Sequence, residues 1–60
     1  MYYFEAHYIN MDTGEEITKK ISFDGQFFDS DKECYLYAMS RAYDMEEENE
    51  MFGSLEFIAC

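Results

Sequence analysis

The sequence is poor in residues that bend the chain and in residues that carry positive charge. It contains no proline, and only three of its 60 residues are glycine. No proline therefore interrupts the regular elements, and three isolated glycines do not form a phosphate-binding loop. Four basic residues stand against fourteen acidic ones, which gives a formal net charge of −10. This balance excludes direct binding to nucleic acid or to anionic membranes, since both need a basic surface.

Cysteines and long apolar runs are also scarce. Cys34 and Cys60 are the two cysteines, and no basic stretch followed by an apolar run marks a secretory signal. We therefore expect both thiols to be reduced, in a cytoplasmic protein. No segment approaches the roughly 20 apolar residues of a membrane span. A chain of this length is expected to fold as one domain, residues 1–60, with a small core.

The first part of the chain predicts a β-hairpin over residues 2–23. Residues 2–9 and 16–23 alternate at period two. Asn10, Asp12 and Gly14 between them are turn residues. Lys19 falls on the apolar side of the second strand, which indicates an edge strand.

A helix and a third strand follow. Ser30 and Glu33 have the spacing of a capping box, which predicts a helix over residues 30–45. Phe27 and Phe28 are expected to anchor the connector before it. Cys34 is expected to be a small helix residue. Tyr37 is predicted to point away from the apolar stripe, which comprises Tyr35, Ala38, Met39, Ala42 and Met45, with Leu36 and Tyr43 beside it.

Residues 52–59 predict the third strand, with Leu55, Phe57 and Ala59 on one face. The element order ββαβ then predicts an α+β fold. Its three-stranded antiparallel sheet has the strand order 2-1-3, and one helix covers one face. The other face carries a mixture of polar and apolar side chains.

An acidic run is the sharpest functional feature of the sequence. Five carboxylates lie within residues 44–50, at the C-terminal end of the predicted helix. The negative end of the helix dipole disfavours acids there. If the run is helical, its carboxylates span roughly 10 Å, a charge density comparable with that of one DNA strand. A solvated loop that resists aggregation is the alternative interpretation.

Catalytic and metal sites receive little support from the residue pattern. Asp29, Asp31 and Glu33 lack the glycine and the closing glutamate of an EF-hand, so helix capping explains them better. Asp12 and Gly14 belong to an Asp-Thr-Gly triplet, but at a hairpin tip this is turn chemistry. His7 has no recognisable zinc spacing with the cysteines. The sequence does not exclude a catalytic nucleophile made of a cysteine and His7. We predict a non-enzyme with no catalytic residues, no metal site and no cofactor.

In size, acidity, aromatic content and ββαβ layout, the whole chain resembles the small proteins that phages and mobile elements encode against host defences, anti-CRISPR proteins among them. The resemblance implies an inhibitor that mimics nucleic acid in the basic groove of a CRISPR effector. It carries no motif, so it transfers no functional residue to this sequence.

Two functions follow as hypotheses. In the first, the chain is an acidic inhibitor of a nucleic-acid-binding protein, such as a Cas nuclease. Tyr37 and Tyr43 are aromatic anchors beside the acids. The partner-binding carboxylates are those of Asp44, Glu46, Glu47, Glu48, Glu50 and Glu56, with help from the acids of the hairpin tip. In the second hypothesis, the chain is a structural or assembly module that forms a homodimer through a strand edge or the open sheet face.

Overall fold

The computed structural model describes residues 1–59, so the thiol expected at Cys60 lies outside the described part of the chain. In these residues, β1 spans Tyr2–Asn10, β2 spans Glu16–Phe23, α1 spans Asp31–Asp44 and β3 spans Glu50–Ala59. A short 3₁₀ turn, Gly25–Phe27, precedes α1. The strand order is β2-β1-β3, with both pairings antiparallel. The predicted α+β fold is therefore confirmed, with β1 in the centre.

The hairpin turn has the chemistry that its residues predict. The Asn10 side-chain oxygen accepts a hydrogen bond from the Asp12 backbone at 2.8 Å, and the Gly14 amide donates to the Asn10 carbonyl at 2.7 Å. Gly14 has a φ of 76°, a conformation that costs little only for a residue without a Cβ atom. The turn sets a register in which Phe4 pairs with Ile21 and Tyr8 pairs with Ile17.

The helix begins where the capping residues indicate. The Ser30 hydroxyl accepts a hydrogen bond from the Glu33 amide at 3.3 Å, so Ser30 is the N-cap. The Glu33 carboxylate in turn accepts from the Asp29 amide at 2.9 Å, one residue before the cap. Two backbone donors at the helix start are thereby satisfied, as in a capping box. The helix ends at Asp44, one residue before the predicted boundary.

Small residues let the helix approach the sheet closely. Cys34, Ala38 and Ala42 recur every four residues, and all three are buried. Ala38 and Ala42 face a core that contains Phe4, Ala6, Tyr8 and Ile21. Tyr35 was predicted to belong to the apolar stripe, but it lies at the exposed margin of the helix. Tyr35 is 41% exposed and touches Phe4 only edge-on, because the smaller Cys34 takes the central position.

The aromatic residues Phe27, in the connector before the helix, and Tyr37, within the helix, differ from the prediction. Phe28 is an anchor, since its ring packs against Phe23 and Tyr37, with ring centroids 5.5 and 5.1 Å apart. Phe27, in contrast, is 79% exposed. Tyr37 was expected to point away from the core, but its ring also meets Phe23 at 4.8 Å. The aromatic cluster thus extends around the side of the helix.

β3 carries two irregularities that alternation alone does not predict. Its register against β1 shifts between Tyr3 and Phe4 and again between His7 and Tyr8. The shifts leave Ile58 and Gly53 as extra residues, as in β-bulges. Because of the first bulge, Ala59 pairs with Tyr3 on the open face rather than facing the helix with Phe57, so its predicted placement was wrong. None of the described helices is long and apolar enough to cross a membrane.

Candidate acidic binding surface

One end of the molecule collects most of the acidic residues. The hairpin turn meets the segment after α1 there, and the Met11 amide donates to the Asn49 carbonyl at 2.8 Å. We call this region the acidic end. It holds eight of the fourteen acids: Asp12, Glu15, Glu16, Asp44, Glu46, Glu47, Glu48 and Glu50. The fold therefore joins two acidic segments that are about 30 residues apart in sequence.

The acidic run turns back on itself instead of continuing the helix. Met45 is the C-cap, and its amide donates to the Arg41 carbonyl at 3.0 Å. A separate turn then closes through the Glu50 amide and the Glu47 carbonyl at 3.0 Å. The regular helical spacing considered for the five carboxylates therefore does not occur beyond Asp44. The acids lie on a compact turn at the end of the sheet.

Glu50 forms an internal ion pair. Its Oε1 atom accepts hydrogen bonds from Lys19 Nζ at 2.7 Å and from the Glu47 amide at 3.1 Å. The Glu50 side chain is only 10% exposed. The bond from Lys19 holds the pKa of Glu50 below its ordinary value, and the same bond raises the pKa of Lys19. Both groups are therefore ionised at neutral pH and bound to each other.

Lys19 also explains how the helix tolerates acids at its C-terminal end. Its Nζ atom donates to the Met45 carbonyl at 2.8 Å and lies 4.7 Å from the centroid of the Tyr8 ring. The Tyr8 hydroxyl donates to the Ala42 carbonyl at 2.6 Å. Carbonyls at a helix end lack partners within the helix, so these two sheet residues supply the missing donors. A cation beside the last turn also opposes the negative end of the dipole.

Glu46 is engaged by the fold as well. Its Oε2 atom accepts a hydrogen bond from the Phe52 amide at 2.6 Å. Among the described residues, no hydrogen bond or ion pair engages the exposed side chains of Asp44, Glu47 and Glu48. The predicted acidic run thus contains two carboxylates that build the turn and three that face solvent.

The other predicted partner-binding residues do not all lie at the acidic end. Tyr43 does: it is in the last turn of α1, is 58% exposed, and packs against Phe52 at a centroid distance of 4.8 Å. Tyr37 belongs to the aromatic cluster near the helix start. Glu56 is on the open face of the sheet, beside His7. The structure therefore brings Tyr43 together with the acidic run but places Tyr37 and Glu56 elsewhere.

The open face holds a cluster that sequence spacing did not indicate. Glu5, His7 and Glu56 each offer a possible ligand atom, and these atoms all lie within 4.8 Å of one another. Glu5 and Glu56 are direct partners across the β1–β3 pairing. The signal for this cluster was the sheet register, because Glu56 lies 49 positions from His7 in sequence.

A cavity of about 450 Å³ lies at the opposite end of the molecule from the acidic end. Phe4, Tyr35, Phe57 and Cys34 give it a largely apolar lining. The Tyr2 hydroxyl donates to Asp31 at 2.7 Å, and this bond raises the pKa of Tyr2 well above its ordinary range.

Cys34 is buried on the helix side of the sheet, whereas His7 is on the other face of the sheet. The fold therefore does not bring Cys34 and His7 together.

The strongest feature of the described surface is thus the charge at one end, with one exposed aromatic ring beside it. Arg41 is the basic residue in the last turn of α1. Unlike Lys19, its side chain forms no ion pair or hydrogen bond with the described residues. Such a surface suits cationic groups through charge and cation–π contacts. Comparisons with protein-family models, curated proteins and solved structures gave no match to this chain.

Proposed function

We propose that this chain is a non-catalytic binding protein that inhibits a nucleic-acid-binding protein by occupying its basic surface. A CRISPR effector such as a Cas nuclease, in the cytoplasm of a bacterial host cell, is the partner that we favour. The observation that carries the proposal is the group of solvent-facing carboxylates at the acidic end. Asp44, Glu47 and Glu48 are free of intramolecular partners among the described residues, so their charge is available to another molecule.

The construction of the turn supports this role. Glu46 and Glu50 fix the backbone on both sides of Glu47 and Glu48, so these two carboxylates are displayed on an ordered segment. Ordering them in advance lowers the entropic cost of binding. The Met11–Asn49 bond holds the acids of the hairpin tip beside them.

The electrostatics favour a basic groove as the binding site. The net charge of −10 repels nucleic acid and attracts clustered lysines and arginines, which speeds encounter with such a groove. A surface built to bind phosphates presents these residues at close spacing. Tyr43 adds an exposed ring on which an arginine can stack.

The test needs a partner and a variant that changes charge at one place only. Capture from a bacterial lysate at low salt, followed by elution at high salt, identifies candidate partners. A purified guide-loaded Cas nuclease is then titrated with the chain in a DNA-binding assay. The double variant Glu47→Gln/Glu48→Gln removes two negative charges at the acidic end. Its matched control, Asp29→Asn/Ser22→Lys, changes the net charge equally at exposed positions away from the acidic end.

We expect the Glu47→Gln/Glu48→Gln variant to need about tenfold more protein for half-maximal inhibition, since two charge contacts of roughly 0.7 kcal/mol each are lost. The control variant should stay within about twofold of the wild type. Equal losses in the two variants would refute a localised patch. Capture of proteins without nucleic-acid-binding surfaces would refute the choice of partner.

A second function is favoured by a different observation. β3 is a ten-residue edge strand, and Met51, Phe57 and Ile58 on it are about half exposed. An exposed apolar edge strand is a template for pairing with another chain. Edge-to-edge pairing would give a homodimer and make the protein an assembly module. Sedimentation equilibrium decides this: a monomer at micromolar concentration removes the dimer, and a salt-stable dimer supports it.

A further inference from the structure

We propose that Glu5, His7 and Glu56 form a binding site for a transition-metal ion of the Zn²⁺ type on the open face of the sheet. None of these three residues belongs to the acidic end, and the proposal does not rest on the proposed inhibition. One nitrogen and two carboxylate oxygens lie within 4.8 Å of one another. Imidazole with carboxylates is a donor set that zinc accepts.

The distances require little rearrangement for a tetrahedral ion. With bonds of about 2.1 Å, the ligand atoms of such an ion are separated by about 3.4 Å. The distance from His7 Nε2 to Glu56 Oε1 is 3.3 Å, so these two atoms already have the required separation. The longest separation in the cluster is at most 4.8 Å. The longer separations involve the half-buried Glu5, and rotation of its side chain closes the difference.

Residues outside the ligand set fix the orientation of the histidine. His7 Nδ1 lies 3.3 Å from Thr18 Oγ1 and 3.5 Å from Glu16 Oε1, both on β2. A proton on Nδ1 that is donated to these acceptors leaves the lone pair of Nε2 free to bind a metal. This arrangement, in which a carboxylate supports a metal-binding histidine from behind, is common in zinc sites.

The two negative charges on this face also favour binding of a cation. Glu5 and Glu56 stand directly opposite each other on β1 and β3, and like charges at such positions destabilise a sheet. Lys20 pairs with Glu5 in the β1–β2 register. Yet within residues 1–59 no lysine or arginine nitrogen lies within 4.0 Å of either carboxylate. A divalent ion between the two strands would neutralise the pair and join β1 to β3.

The chemistry predicts selectivity. Mg²⁺ and Ca²⁺ prefer sites made only of oxygen ligands, and they would gain little from His7. General attraction of cations to an acidic protein would, in contrast, include Mg²⁺ and would not depend on His7. These differences separate a built site from a diffuse atmosphere of counterions.

The experiment is isothermal titration of the untagged chain with ZnCl₂ and, separately, with MgCl₂. We expect one zinc ion per chain and no comparable magnesium binding. His7→Ala and Glu56→Gln should each weaken zinc binding at least about 100-fold, and Glu16→Gln about tenfold, as removal of a supporting carboxylate does. Glu48→Gln is the matched control for loss of one exposed acid and should bind zinc as the wild type does.

Two outcomes would overturn the site. The first is zinc binding that His7→Ala and Glu56→Gln leave unchanged, or that magnesium matches. The second is loss of zinc binding in Cys60→Ser, since a thiolate is itself a strong zinc ligand. Circular dichroism checks that each variant is folded. Glu56→Gln, at an exposed position, keeps the test valid if His7→Ala does not fold. A zinc-dependent shift of the His7 Nε2 resonance in NMR spectra would locate the ion directly.

Discussion

Removing one hydroxyl group, in Tyr8→Phe, tests how the helix end is held on the sheet. The Tyr8 side chain is fully buried, and its hydroxyl donates to the Ala42 carbonyl at 2.6 Å. Phenylalanine keeps the ring that packs against Phe52 at 5.7 Å and that Lys19 covers. The variant therefore deletes the hydrogen bond and little else. The Ala42 carbonyl is left without this donor at the helix end.

The expected loss is about 1–3 kcal/mol, the cost of leaving a buried polar group unsatisfied. A domain of 60 residues has a total stability of roughly 3–9 kcal/mol. The variant should thus lose a large part of its stability. Each kcal/mol corresponds to a decrease in Tm of about 4–8 °C in a domain of this size.

Urea unfolding followed by circular dichroism measures the effect as a lower midpoint with an unchanged slope. Tyr43→Phe is the matched control, because it removes the same hydroxyl from a side chain that is 58% exposed. It should stay within about 0.5 kcal/mol of the wild type. If Tyr8→Phe also stayed within that range, the buried hydrogen bond would not hold the helix end, and the account of its capping would be wrong.

Two further changes test the ion pair and the helix packing. Glu50→Gln should lower the urea midpoint near neutral pH, because it removes the charge bound to Lys19. The pKa of Glu50 lies below its ordinary 4.5, so its contribution is present above pH 4.5 and is lost as the pH falls through the lowered pKa. The gap between variant and wild type should therefore close in acid, and a constant gap would contradict the ion pair. Ala38→Leu should lose about 1–3 kcal/mol through overpacking at a site that is 0% exposed, whereas Ser40→Leu on the exposed side should stay near the wild type in the same assay.

The architecture could be predicted from the sequence because several local signals agree. The period-two alternation on both sides of the Asn10–Gly14 turn leaves one plausible hairpin, and Lys19 marks its second strand as an edge. Ser30 and Glu33 set the helix start to within a residue. The aromatic residues of β1 favour the central position in a three-stranded sheet. Each signal is local in sequence, so it predicts its structural element without knowledge of the tertiary contacts.

Features that depend on tertiary contacts could not be predicted in this way. Gly53 and Ile58 are extra residues in β3 only because of the register against β1, and the faces of Phe52 and Ala59 follow from them. The burial of Cys34 instead of Tyr35 depends on how closely the helix approaches the sheet. The exposure of Phe27 depends on the direction in which the 3₁₀ turn leaves β2.

The candidate sites also differ in how far the sequence predicts them. The acidic run is visible in the sequence as a local concentration of charge. Its neighbour, the acidic hairpin tip, joins it only through the antiparallel sheet. The Glu5–His7–Glu56 cluster has no signal in sequence spacing, since its residues lie on the two strands β1 and β3 that are far apart in sequence; the sheet register is what brings them together. Sequence spacing detects metal sites whose ligands lie on one segment, and this cluster is built across two strands.

Some carboxylates of the acidic run stabilise the fold and others face solvent, and this difference decides which experiment can test inhibition. Glu50 holds Lys19, and Glu46 holds the Phe52 amide. A variant with all four glutamates of residues 46–50 changed to glutamine would therefore lose stability together with charge, and a loss of binding would have two explanations. Glutamine at position 46 can still accept a hydrogen bond, but glutamine at position 50 cannot replace the ion pair. Changing only Glu47 and Glu48 leaves both structural contacts in place. A decrease in inhibition by this variant, at unchanged Tm, can arise only from the solvent-facing charge.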